Sequence, residues 1–143
     1  MVAPSSSTRA DALERDRFRC VRCGRQMPLE MQHRQRVGAG GSNVRPLLVD
    51  VVTACAYCNE RFESDLQTEA LVFGWKVRSW VVGAERVPVF DRPRGWWQFL
   101  TLVGPVVVLT PGEAFNAMRS VYGPEWDSWA DRLGEAVGLR GRL

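Results

Sequence analysis

Histidine and lysine are nearly absent from this chain of 143 residues, which holds one of each, His33 and Lys76. All the rest of its 19 basic residues are arginine, whose planar fork of donors suits phosphate oxygens. The formal charge is only +3, so composition favours nucleic acid modestly, and a GC-rich coding bias would put arginine in place of lysine with no function at all. Long apolar runs are also missing. No stretch reaches the roughly 18 uninterrupted apolar residues of a membrane span, and Met1 to Thr8 lacks the apolar core of a signal peptide. These absences predict a cytoplasmic protein with no membrane partner. Cysteine is scarce too, with 4 residues, all in CxxC pairs. In a reducing cytosol such pairs read as a metal site sooner than as disulfides. Length and a hydrophobic content of 45% suit one main compact unit.

Along the chain, residues 1–7 (MVAPSSS) are small and polar and read as disordered. Thr8 with Asp11 makes an N-cap pattern for a helix to about Arg17, with Ala12, Leu13 and Phe18 turned inward. Leu29 to His33 reads as a short strand, and Gly38 to Asn43 as a loop. Asn59 to Phe73 carries Phe62, Leu66, Ala70 and Phe73 at helical spacing and stops at Gly74. Four β-rich runs follow, Trp75 to Val82, Val87 to Phe90, Trp96 to Val103 and Pro105 to Leu109, parted by Gly, Pro and Asp. Thr110-Pro111-Gly112-Glu113 then combines an N-cap, a first-position proline and a capping-box glutamate, opening a helix to about Tyr122 with Phe115, Met118 and Val121 inside. A last helix after Gly123-Pro124 aligns Trp126, Trp129, Leu133 and Val137. The expected class is α+β. Segments 8–74, 75–109 and 110–143 form a metal-stapled module, a small antiparallel sheet and a helical hairpin, with no linker between independent domains.

Cys20-Val21-Arg22-Cys23 and Cys55-Ala56-Tyr57-Cys58 carry the strongest chemical signal. Two such turns are the usual way to place four thiolates around one Zn²⁺, and four thiolates leave no open position for water, so the metal is structural. The pairs staple a long insertion, and the only histidine lies in it. An imidazole with a pKa near 6.5 accepts a proton at neutral pH, whereas the arginines around it do not.

The order CVRCG, then QHR before a Gly-rich loop, then a hydrophobic run ending in CAYCN resembles the HNH endonucleases, most of all the zinc-stapled kind common in phages. The resemblance covers about Leu13 to Trp75, and GWKVRS is similar to a continuation found in actinobacterial and phage members. It implies a ββα-metal fold in which a hairpin and a helix clasp a catalytic cation, Mg²⁺ or another divalent ion, distinct from the zinc. By that resemblance His33 is the general base that deprotonates the attacking water. The sequence departs from the family pattern at three places: Gln32 stands where Asp or His usually binds the cation, Asn59 where the last histidine usually stands, and Asp50 where the middle Asn usually falls. Asn59 remains a ligand in some members, Gln32 offers a carbonyl oxygen, and Asp50 is expected to orient His33.

Arg34 and Arg36 beside the proposed base, and Arg61 in the helix, are the expected contacts to double-stranded DNA. The tail with Arg140 and Arg142 either touches phosphate or frays. Trp75, Trp80, Trp96 and Trp97 read as core rather than as stacking platforms, with Trp96 out and Trp97 in. The leading reading is a metal-dependent DNA endonuclease. Its rivals are a catalytically lapsed DNA-binding or assembly module acting beside phage packaging proteins, and a zinc-only interaction module, which exposed Trp126 and Trp129 would favour.

Overall fold

A computed structural model describes residues 2–36 and 44–137, the side chains of 135–137 excepted. The expected glycine-rich loop with Asn43, the Val137 side chain and the arginine tail lie outside the described residues. The protein is α+β, with two small antiparallel sheets and five helices among the described residues. None of these helices is long and apolar enough to cross a membrane.

Helix α1 spans Ser6–Arg15 and is capped by Ser5, whose hydroxyl accepts the Thr8 N–H at 3.1 Å. It starts ahead of the expected Thr8 cap, so part of the opening segment read as disordered is ordered: Ser5 uses its oxygen for the first orphan donors of the helix. Strand β1 (Leu29–His33) falls where the sequence puts it and pairs antiparallel with β2 (Val51–Cys55) in the register Leu29 with Cys55 and His33 with Val51. Period-two alternation sends Met31 toward α1, where it clusters with Ala12 and Val51. Val52 and Ala54 enter the main core instead.

The single helix expected over Asn59 to Phe73 is two, α2 (Ala56–Arg61) and α3 (Gln67–Val72). The Arg61 carbonyl takes the N–H groups of Ser64 and Leu66 at 3.0 and 2.9 Å and lies 3.4 Å from the Ser64 hydroxyl. Side-chain competition of this kind is why serine breaks helices. All four apolar residues of that spacing are nonetheless buried. Gly74 ends α3 at φ +77°, and a Cβ there would stand 1.8 Å from the Pro88 carbonyl oxygen, so only glycine fits.

Of the four β-rich runs three give strands, β3 (Val89–Asp91), β4 (Trp96–Phe99) and β5 (Val107–Leu109), in one antiparallel meander. Trp75 to Val82 is not a strand; it makes one parallel bridge, Val77 to Gln35. The Gln35 amide takes the carbonyls of Arg78 and Val81 at 3.0 and 2.6 Å, which removes them from any ladder. Beyond Phe99 the chain leaves the sheet, because the Thr101 hydroxyl reaches the Val103 and Gly104 carbonyls, both at 3.1 Å, and folds the segment into a turn.

Helix α4 (Pro111–Tyr122) opens with the expected capping box, Glu113 N–H to the Thr110 hydroxyl at 3.2 Å and Thr110 N–H to the Glu113 carboxylate at 2.9 Å. Met118 is buried as expected, while Phe115 and Val121 are only partly so. Helix α5 (Pro124–Val137) buries Trp126, Trp129 and Leu133. That burial removes the sign that would favour an interaction module built on exposed tryptophans.

One hydrophobic cluster runs from Cys20 to Leu133. Its spine is aromatic: Phe62, Trp75, Phe73, Phe90, Trp97, Phe115 and Trp126 follow one another with ring centroids between 5.2 and 5.9 Å apart. Tilted and edge contacts of this kind add about 0.5–1.5 kcal/mol each beyond area burial. The Trp75 and Trp126 indole N–H groups donate to the Phe90 and Val72 carbonyls at 2.8 and 3.1 Å. Trp97 is buried, Trp96 half-buried and Trp80 exposed, so the tryptophans mostly fill the core.

Candidate metal centre and hairpin site

Cys20 and Cys23 lie on the turn after α1, Cys55 ends β2 and Cys58 sits in the first turn of α2. Their four sulfurs lie within 4.8 Å of one another, and Cys23 Sγ is 3.7 Å from Cys55 Sγ. A tetrahedron with metal–sulfur bonds of about 2.3 Å has edges of about 3.8 Å, so the donor set fits an ion such as Zn²⁺. The cluster can therefore hold a structural metal. Gly24, at φ +76°, closes the first knuckle with its N–H on the Cys20 carbonyl at 2.9 Å, and the Cys58 N–H points at Cys55 Sγ at 3.4 Å in the second.

Arg22, inside the first CxxC, extends the site. Its Nη1 lies 3.6 Å from Cys58 Sγ and its Nε 2.5 Å from the Glu69 carboxylate, which also receives Arg92 at 2.9 Å. Arg92 in turn lies over Phe73 and Trp75, 5.1 Å from each centroid. A positive group beside four thiolates offsets their charge and orients one of them. Burial lowers the Arg22 pKa, but Glu69 and Cys58 outweigh it and the net direction is up. Burial pushes the Cys20 and Cys58 thiols up. At Cys23 burial acts the same way, but the Arg25 N–H and the neighbouring thiols outweigh it and the net direction is down. Arg22 and Glu69 carried no sequence signal beyond their charge, because the pair is 47 residues apart along the chain.

His33 ends β1, half-buried, with Nε2 3.2 Å from the Val2 carbonyl. A carbonyl only accepts, so this contact puts the ring proton on Nε2 and leaves Nδ1 as the basic nitrogen. Gln32 points the other way, buried, its amide nitrogen 3.4 Å from the Trp75 carbonyl. Asn59 shares the Gln32 side of the hairpin, where its amide donates to the Glu30 carboxylate at 2.8 Å. Gln32 and Glu30, the latter bonded to Asn59, therefore lie on the α2 face of the hairpin, and His33 stands on the α1 face. Asp50 does not meet its expected role. Its carboxylate accepts the Leu47 N–H at 2.8 Å and closes a short turn, and no hydrogen bond joins it to His33 among the described residues.

Arg34 does not face solvent as the expected DNA contact would. It is only 1% exposed, and its guanidinium donates to four backbone carbonyls: Gly74 at 2.9 Å, Val49 at 2.8 Å, Ala84 at 3.1 Å and Val87 at 2.7 Å. A side chain so enclosed cannot meet DNA. Burial pushes its pKa down to about 10, still protonated at neutral pH. Arg61 is tied to Asp65 through Nε at 3.0 Å and lies over the Tyr57 ring at 4.5 Å. Arg36 is exposed. Of the three expected DNA contacts it alone has no partner among the described residues. The chain matches no protein-family model, no curated protein and no solved structure.

Proposed function

We propose that this protein is a metal-dependent endonuclease of the HNH type that hydrolyses phosphodiester bonds of double-stranded DNA one strand at a time. The observation that carries the reading is the position of His33. It is the last residue of the first strand of a hairpin whose second strand runs straight into a helix at the cysteine cluster. Nδ1 takes the proton of a water whose oxygen attacks phosphorus, and the sugar oxygen leaves on the far side. Because His33 ends its strand, a phosphate laid across that end meets both faces of the hairpin. Arg36, exposed just beyond, supplies positive charge to the DNA backbone. A divalent cation such as Mg²⁺ would take oxygen from Gln32 and Asn59, with the Glu30 carboxylate adding charge, and would stabilise the negative charge that builds on phosphate. Zinc in the four-cysteine cluster is structural in this scheme. The test is nicking of supercoiled plasmid with Mg²⁺, Mn²⁺ or Ni²⁺ by the wild type and by His33→Ala; activity indifferent to that substitution ends the reading.

One observation favours a second reading. The Gln32 amide is engaged with the Trp75 carbonyl and lacks the charge a hard cation prefers, as a lapsed nuclease kept for DNA binding or for assembly with phage packaging proteins would have it. Gln32→Asp restores the charge. A wild type inactive with every cation beside a Gln32→Asp variant that nicks selects the lapsed module; equal or better nicking by the wild type selects the enzyme.

A further inference from the structure

The turn joining α1 to the first cysteine pair runs against its own residue preferences. Arg17 and Phe18 both hold left-handed backbone, φ +57° and +55°, where glycine or asparagine is the ordinary occupant. The Arg17 N–H donates to the Glu14 carbonyl at 3.1 Å and the Phe18 N–H to that of Leu13 at 2.8 Å, which fixes the turn. The result is three exposed side chains in a row, Arg17, Phe18 and Arg19. Neither guanidinium has a hydrogen bond or ion pair among the described residues. Strained backbone held in place by its surroundings marks functional turns more often than idle ones.

Beside the turn, against the β3–β4 connection, lies a cavity of about 340 Å³ whose lining includes Asp16, Arg17, Arg19, Asp91, Arg94 and Trp96. Its acids are already taken. Asp16 receives Arg15 Nε at 2.8 Å and the Thr53 N–H at 2.9 Å, and Asp91 receives Arg94 at 3.1 Å. Arg94 also donates to the Arg15 carbonyl at 2.7 Å and lies 5.5 Å from the Trp96 ring centroid. Arg17 and Arg19 are left as the uncompensated charges, with the exposed Phe18 between them in sequence. The larger cavity next to it shares Arg17, Arg94 and Trp96 but adds the exposed acids Asp11 and Glu14, which repel an anion.

We propose that this smaller cavity is an anion site that grips a phosphate of a nucleic-acid backbone, with Arg17 and Arg19 as the donors and Phe18 against the adjoining sugar. The site rests on the DNA reading above and adds a second anchor to it, held next to the metal cluster by Cys20. Guanidinium pairs suit phosphate geometry, and each phosphate neutralised contributes about 0.9 to the slope of log affinity against log salt.

The experiment measures binding of a short fluorescent DNA duplex across a salt series, in a His33→Ala background so that DNA is held without being cut. Arg17→Ala with Arg19→Ala is expected to reduce the slope by the one phosphate they share, about 0.9, with metal content unchanged. Arg17→Lys with Arg19→Lys keeps the charges and should retain most of the slope, and Arg86→Ala, remote from the turn, should not lower it comparably. A double-alanine slope equal to that of Arg86→Ala overturns the site while leaving the DNA reading standing. No duplex binding by any form overturns both. Free pyrophosphate that displaces the duplex at equal concentration reassigns the cavity to a small anion and overturns the nucleic-acid proposal. Loss of slope in the double variant, together with His33→Ala protein that still nicks, keeps the site and removes the nuclease reading.

Discussion

Replacing Arg34 with alanine should unfold much of the protein before it touches DNA binding. The side chain is enclosed, and its guanidinium supplies donors to the carbonyls of Gly74, Val49, Ala84 and Val87. Ala84 also receives the Val87 N–H at 3.1 Å, so the other three carbonyls depend most on the arginine. A buried polar group left without its partner costs roughly 1–3 kcal/mol. Three of them, with the space the side chain vacates, put the loss at about 4 kcal/mol or more. That is a large part of the roughly 5–15 kcal/mol that holds a domain folded. With a urea dependence near 2 kcal/mol per molar, the unfolding midpoint should fall by about 2 M. Arg34→Lys keeps a charge but gathers its donors on one nitrogen, which cannot span carbonyls from separate segments, so about half that loss is expected. The assay is urea unfolding followed by tryptophan fluorescence. An Arg34→Ala protein with an unchanged midpoint and weakened DNA binding would refute the reasoning and return Arg34 to the surface.

The purified protein should carry one zinc per chain and lose its fold on chelation, since metal binding supplies folding free energy and Cys20, Cys55 and Cys58 are built into the main core; metal analysis and circular dichroism check both. Metal affinity should climb with pH, because burial holds the Cys20 and Cys58 thiols protonated above their ordinary range and the ion must expel those protons. A Co²⁺ titration at several pH values with flat affinity contradicts this. Gly74→Ala should cost about 3 kcal/mol or more, because the new Cβ meets the Pro88 oxygen and the backbone is left-handed, and a melting temperature close to wild type would contradict it. Thr110→Ala should cost about 1 kcal/mol through the lost cap of α4, read from the same melts.

Features carried by local rules were legible in the sequence. The CxxC spacing foretold the cysteine cluster, the residues after Thr110 foretold the cap of α4, and alternation foretold β1 down to His33 at its end. What the sequence hid depends on partners far along the chain. Arg34 looks like a surface arginine until the carbonyls of Gly74, Ala84 and Val87 close over it from 40, 50 and 53 residues away. The helix expected over Asn59 to Phe73 kept its buried face but broke where Ser64 competes for the Arg61 carbonyl. Trp75 to Val82 has strand-like composition, yet the Gln35 amide took the carbonyls a ladder would need. The left-handed backbone at Arg17 and Phe18 had no signal, because neither residue type favours it; each such residue costs about 1–2 kcal/mol. The hairpin site was legible as residue types, and alternation already sets Gln32 and His33 on opposite faces, but only the structure puts Asn59 on the Glu30 side.

The central claim is that the single histidine is a general base, and the rate of plasmid nicking by His33→Ala relative to wild type, at matched zinc content and saturating Mg²⁺ or Mn²⁺, tests it most directly. The account predicts a fall of roughly 10²- to 10⁴-fold, the range a positioned general base supplies, with the unfolding midpoint unchanged because among the described residues the half-buried ring makes one hydrogen bond, to the Val2 carbonyl. Equal nicking rates for the two proteins would contradict it.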